Sequence, residues 1–251
     1  MSEYTERFSS RVDNYVRYRP GYPSAIVDLL TAECGLTPQS HIADIGSGTG
    51  KLSELFLANG NVVLGIEPND GMRTAGETIL RNNPNFRSLI GTAEATTLQN
   101  ASVDLITAGQ AFHWFDLEKT KPEWIRILKP GGWVVVIWNE RRLDTTPFLR
   151  DYEALLLKYG TDYQTIRHEN AVEGLNDFFA PQSPRITSFD NVQLFDFEGL
   201  KGRVFSSSYT PEPGHPDFQP MLDELKAVFD RHQHNGQVSF DYDTRVFYGQ
   251  L

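Results

Sequence analysis

Between residues 40 and 140 the hydrophobic positions fall into short unbroken apolar runs separated by longer mixed segments. "HIADIG" (41–46) is the first such run, and it predicts a strand buried on both faces. "GKLSELFLANG" follows with helical spacing and stops at Gly60. "NVVLGIE" (61–67), "FRSLIG" (86–91), "VDLITAGQ" (103–110) and "WVVVIWN" (133–139) predict four more strands. Two helices are predicted among them. "NDGMRTAGETILRNN" has Asn69 or Asp70 available as its cap, and "LEKTKPEWIRILKPGG" is bent at Pro122 and stopped by Pro130.

Continuous strand runs alternating with helices predict an α/β fold. The expected architecture is a Rossmann-like, doubly wound, mostly parallel seven-stranded sheet with helices on both faces and a helical cap. After Asn139 the rhythm breaks. "TPFLRDYEALLLKYG" and "LDELKAVFDRHQ" read as helices, while "NVQLFDFEG" (191–199) and "TRVFYGQL" read as the last two strands. The chain therefore divides into an N-terminal helical segment lining the pocket (1–35), a ligand-binding core (36–140), and cap insertions with the last two strands (141–251). "SSSYTPEPGHP" (206–216) reads as a mobile lid.

Composition narrows the function. The net charge of -10 disfavours nucleic acid as a partner, because the electrostatic contribution would be repulsive. No apolar run is long enough to cross a bilayer, and the N-terminus has no secretory h-region. One cysteine, Cys34, precludes an internal disulfide and fits a reducing, cytoplasmic setting. It reads as an inert thiol. The expected partner is a small molecule, with no nucleic acid and no membrane; oligomeric state is left open.

Candidate chemistry concentrates in "DIGSGTGK". A phosphate-binding P-loop would need glycine at Ile45 and Ser or Thr at Leu52, so it fails twice. A dinucleotide turn fits Gly46 and Gly48 but would need glycine at Lys51. It would also set a pyrophosphate beside Asp44, a repulsion on the order of a few kcal/mol at an effective dielectric near 20. S-adenosylmethionine has no phosphate and carries an α-ammonium that an acid attracts. Gly46, Gly48 and Gly50 allow close backbone approach, and the next helix offers its N-terminus to the ligand carboxylate. Glu67, 21 residues after Gly46, can accept both hydroxyls of a ribose. That spacing serves NAD equally.

"ADIGSGTG", "GIEPN", "GTAEATTL", "VDLITAGQAFHWFD" and "EWIRILKPGGWVVVIW" resemble, in order, the motifs of class I S-adenosylmethionine-dependent methyltransferases. The likeness is strongest to the small-molecule branch with methyltransferase type 11 and trans-aconitate methyltransferase-like domains. It implies that Asp44, Gly46, Ser47, Gly48 and Gly50 hold the methionine moiety, with Glu67 on the ribose and Pro68 beside the adenine. It further implies Ala93 and Glu94 as adenine contacts, with Thr92 where many relatives carry aspartate, and Gln110 and Phe112 at the methionine end. His113 and Trp114 would face the transferable methyl; His113 is a candidate general base or a hydrogen-bonded wall residue. Arg19, Tyr22, His113, Trp114 and Arg141 are candidates for acceptor binding, and the arginines suit an acidic acceptor. No Cys/His metal spacing is present. The implied activity is methyl transfer to a small acceptor, a carboxylate among the candidates. The alternatives are a non-catalytic S-adenosylmethionine-binding domain or an NAD-dependent oxidoreductase.

Overall fold

The computed structural model describes residues 12–161, 163 and 174–251, so parts of the expected N-terminal and cap segments lie outside the described residues. Seven strands form one sheet: β1 (His41–Ile45), β2 (Val62–Ile66), β3 (Phe86–Leu89), β4 (Val103–Gly109), β5 (Leu128–Arg141), β6 (Arg185–Phe195) and β7 (Val238–Gly249). Their order is β3-β2-β1-β4-β5-β7-β6. The first five pair in parallel, and β7 inserts antiparallel between β5 and β6.

The helices are α1 (Val12–Tyr18), α2 (Ala25–Cys34), α3 (Lys51–Ala58), α4 (Asp70–Leu80), α5 (Leu117–Ile127), α6 (Pro147–Tyr159), α7 (Leu175–Phe179), α8 (Phe197–Phe205) and α9 (Phe218–His232). Their starts follow local chemistry. Asn69 caps α4 by accepting Met72 N–H, Thr146 caps α6 through Leu149 N–H, and Asp196 caps α8 through Gly199 N–H. Pro122 lies inside α5 without ending it.

β1 is buried from Ile42 to Ile45 because helices cover both sheet faces. One face packs Trp124, Phe178 and Phe112 against Ile45, Ile106 and Val136. The other packs Ile26, Leu30 and Phe56 against Ile42, Val63 and Val135. The cap is no separate globule. Phe148 and Tyr152 of α6, Leu200 of α8 and Leu225 of α9 close on Phe240 and Tyr242 of β7. Phe240 is fully buried, met by Phe148, Tyr152 and Phe195 at ring centroid distances of 5.4, 4.8 and 5.5 Å. Burying one such side chain is worth about 1.5–3 kcal/mol. Among the described residues no helix is long and apolar enough to cross a membrane.

β1 lies between β2 and β4, so the chain leaves the sheet in opposite directions on either side of it. A crevice therefore opens beyond the carboxyl ends of β1 and β4, where ligands of open α/β sheets bind.

Candidate active site

The turn after β1 rises over the end of β2. Gly46 N–H and Ser47 N–H both donate to Ile66 O, at 2.8 and 3.1 Å. Gly46 has φ 68, and a Cβ there would stand 2.6 Å from Ala111 Cβ. Gly48 has φ 55. These left-handed conformations, together with the tight fit against Ala111, explain the glycines before any ligand is considered. The Thr49 hydroxyl is buried in the same turn without a hydrogen-bond partner.

Two carboxylates lie under this turn. Asp44 is 1% exposed. It accepts Ser53 Oγ–H at 2.6 Å and Thr107 Oγ–H at 3.1 Å. Burial pushes its pKa up to about 6; the two hydroxyls oppose the rise and the charge of Glu67 adds to it. The sequence set Asp44 at the strand tip beside the turn; the structure places it underneath, where it acts through its field. Glu67 closes β2 and accepts Gly48 N–H at 2.9 Å and Asn69 N–H at 2.8 Å. Burial raises its pKa as well, against those two amides. Two desolvated acids beneath one turn repel a diphosphate and attract a cationic ligand. The acceptor-only chemistry of Glu67 suits a ribose diol. The donor set thus fits an adenosine bearing an ammonium tail.

Around this groove, Pro68 is exposed directly after Glu67, and Ala93 is buried. Glu94 accepts Asp116 N–H at 2.9 Å and so ties the loop after β3 to the start of α5. Gln110 follows β4 with φ 59, an uncommon conformation for a non-glycine residue, and its amide donates to Asn139 O at 3.0 Å. Phe112 departs from expectation. It is 1% exposed and meets Phe115, Trp124 and Phe178 edge-on, so its side chain is part of the core.

A cavity of about 760 Å³ opens beside the groove. Tyr22, Lys51, Gln110, His113 and Trp114 line the side nearest the glycine turn. The Tyr22 hydroxyl packs on Gly109, where an added Cβ would be 2.5 Å away. His113 lies between Trp114 and Trp138 at 4.3 and 5.1 Å, and Trp114 keeps 39% of its surface exposed, so neither is core filling. Cys34 does not line the cavity, and burial pushes its thiol up to about 12, which makes it inert at neutral pH.

The opposite side of the cavity is rich in arginine. Arg141 is neutralised: it donates to the Glu153 carboxylate and, at 2.9 Å, to Tyr163 Oη, with its guanidinium 5.0 Å from the Tyr152 ring centroid. Arg142 pairs with Asp190 and Asp243, and Arg245 with Glu140. The acceptor role expected of Arg141 is therefore not open to it as a free charge. Arg19 and Arg203 differ. Arg203 is 6% exposed and donates to Tyr242 Oη, Ser206 Oγ and Ser207 Oγ. Arg19 donates to Ser206 O at 2.9 Å, and its Nε is buried with no acceptor. Among the described residues neither pairs with an acid. Burial, then the charge of Arg203, lowers the pKa of Arg19. Lys51 is a third desolvated cation at the cavity, its pKa lowered by burial.

Of the residues that line the cavity, the sequence had singled out Arg19 and Tyr22 for the acceptor but not Arg203 or Lys51. Lys51 was legible as the basic residue after the third glycine. Arg203 carried no signal, since nothing local distinguishes it from other helix arginines. The segment expected as a lid is packed in at its start: Ser206, Ser207 and Thr210 are buried at 0, 0 and 2%, and Ser208 and Tyr209 between them line the cavity.

The sheet order, the reversed β7, the glycine turn after β1 and the acid closing β2 give the chain the fold of class I S-adenosylmethionine-dependent methyltransferases. The comparisons with known proteins agree. Residues 43–136 match the family described as "Methyltransferase domain". An uncharacterised methyltransferase-like protein of Schizosaccharomyces pombe is 29% identical, over 96% of this chain and 93% of its own. An uncharacterised methyltransferase of Mycobacterium tuberculosis is 36% identical over 53% of this chain and 52% of its own. Two solved structures share the fold. One, assigned as a type II methyltransferase from Anaeromyxobacter dehalogenans, has a TM-score of 0.64 at 17% identity, covering 93% of this chain and 98% of that one. The other, assigned to an antibiotic biosynthesis pathway of Anabaena variabilis, has a TM-score of 0.62 at 21% identity, covering 94% and 100%.

Proposed function

We propose that this methyltransferase binds S-adenosylmethionine on the Gly46–Gly50 turn and methylates a small acceptor that carries a carboxylate. The observation that carries the acceptor class is the convergence of Arg19 and Arg203 on one cavity with no acid beside either among the described residues. Two buried guanidinium groups without a counter-ion are costly, and a bound carboxylate supplies the missing charge through charge-assisted hydrogen bonds. Their placement with the tyrosines of the cavity suits a small anion.

The bound cofactor would supply a carbon already activated by a sulfonium. Gly46, Ser47, Gly48 and Glu67 hold the adenosine and its tail, while Ala93, Glu94 and Pro68 frame the base. Tyr22, Gln110, His113 and Trp114 wall the junction between groove and cavity and exclude water there. Holding an acceptor oxygen in line at this junction is where the protein lowers the barrier, and such alignment is worth up to about 7–11 kcal/mol. An ionised carboxylate needs no general base. His113 then serves as a wall residue, and it becomes the base if the methylated group is a hydroxyl or amine.

Calorimetry with S-adenosylmethionine, S-adenosylhomocysteine and NAD tests the cofactor. Micromolar binding of the first two with none of NAD is expected; the reverse preference would refute the assignment. Transfer of a labelled methyl to a panel of small carboxylic acids, against their primary amides, tests the acceptor. Labelling of the amides alone would sink the carboxylate reading.

A further inference from the structure

Arg19 reaches the cavity from an irregular strap between α1 and α2, in which Pro20 and Pro23 remove two backbone donors. Two carbonyls bracket Arg19 along the chain, and both are held from the sheet. Tyr18 O accepts Gln193 Nε2–H at 3.2 Å. Gly21 O accepts Asn191 Nδ2–H at 2.9 Å and Asn139 Nδ2–H at 3.1 Å.

The three amides stand on β5 and β6, on either side of β7. Two of them, Asn139 and Gln193, are fixed in orientation by their other ends. Asn139 Oδ1 accepts Thr244 Oγ–H and Asn191 Nδ2–H, and Gln193 Oε1 accepts Tyr242 O–H at 3.0 Å. With Asn139 and Gln193 oxygens engaged in this way, their NH2 groups face the strap. Tyr242 in turn accepts Arg203 Nε–H at 3.3 Å, so one network reaches both arginines. The strap needs such restraint. Arg19 and Arg203 are like charges at one cavity, and a loosely held strap would carry Arg19 away from its neighbour.

Asn139 lines the cavity, whereas Asn191 and Gln193 do not. We infer that Asn191 and Gln193 are positioning residues for acceptor recognition: by pinning the carbonyls of Tyr18 and Gly21 they hold Arg19 beside Arg203. This deepens the anion-binding reading of the cavity and rests on it. Neither residue touches the acceptor, so any effect on acceptor affinity passes through the strap.

The test uses the full chain loaded with S-adenosylhomocysteine, with glutarate as the probe. Asn191→Asp and Gln193→Glu keep shape and acceptor capacity but remove the donors that face the strap. Each variant is expected to bind glutarate about tenfold more weakly, the scale of one lost hydrogen bond. S-adenosylhomocysteine affinity should stay within about twofold, and hydrogen exchange over residues 15–22 should quicken. Unchanged exchange and unchanged glutarate affinity in Asn191→Asp would overturn the inference. So would a parallel loss of glutarate and S-adenosylhomocysteine binding with a lowered melting temperature, which marks plain destabilisation. Asn191→Asp also removes the donor to Asn139 Oδ1 but leaves the bonds of Gln193 to Tyr18 O and of Asn139 to Gly21 O in place, so it remains informative if the second variant fails to fold. A wild-type protein that takes up no glutarate removes the anion reading, and the exchange comparison then decides the pinning by itself.

Discussion

Replacing Asp44 by asparagine should stabilise the free protein at neutral pH and weaken its hold on the cofactor. Asp44 is held at a pKa of about 6 against an ordinary 3.8, because burial penalises its charge more than Ser53 and Thr107 compensate. Unfolding therefore releases a carboxyl that ionises more readily. The folded state keeps its full stability below about pH 4 and loses it progressively as pH rises through about 6. Above that window the ionised carboxylate costs about 3 kcal/mol. Asparagine keeps the shape and offers Thr107 and Ser53 an oxygen, with part of the gain lost to an amide group beside two hydroxyls. A net gain of about 2 kcal/mol at pH 7.5 corresponds to a rise in melting temperature of about 4–8 °C for a chain of this size. At pH 4 the wild-type carboxyl is already neutral in the fold, so the gain vanishes and only the amide's cost of about 1 kcal/mol remains, and the variant should melt about 2–4 °C below the wild type. Thermal melts at both pH values measure the stability half, and calorimetry with S-adenosylhomocysteine at pH 7.5 measures the other. There the lost attraction for the ligand ammonium should weaken binding by on the order of tenfold. An identical melting shift at both pH values, or tighter ligand binding by the variant, would refute the electrostatic account.

Arg203→Met should abolish binding of small carboxylates while leaving S-adenosylhomocysteine affinity within about twofold, read by paired titrations; equal loss of both would place Arg203 in the scaffold instead. Arg141→Leu should destabilise the fold by about 3–5 kcal/mol, because it strands the buried Glu153 carboxylate, and Arg141→Leu with Glu153→Leu should recover most of that in denaturant unfolding. Gly46→Ala combines a positive φ with a Cβ 2.6 Å from Ala111 Cβ. It should cost about 2 kcal/mol or more in the same assay and weaken cofactor binding with it.

Much of the core was legible because its signals are local. A continuous apolar run such as "HIADIG" becomes a strand wherever it lies, since both of its faces demand cover. Asn69 caps α4 through contacts within four residues. The glycine turn and Glu67 were legible for a similar reason: a positive φ and a strand-end acid at fixed spacing are properties of short segments. The acceptor side was not. Arg141 looked available in the sequence, but Glu153 twelve residues later neutralises it across the start of α6. Phe112 stood in a motif block yet turned inward against Trp124 and Phe178.

By itself, then, the chain's pattern determined the strands, the helix caps, the turn with its flanking acids, and through them the class of ligand that can sit there. Tertiary structure alone decided which charges face the cavity. Arg19 and Arg203 are separated by most of the chain, and only the insertion of β7 between β5 and β6 brings α8 and the strap to one wall. The physical reason is range. Backbone conformation and burial pattern are written in neighbouring residues, whereas whether a charge is matched or left open depends on what the fold sets opposite it.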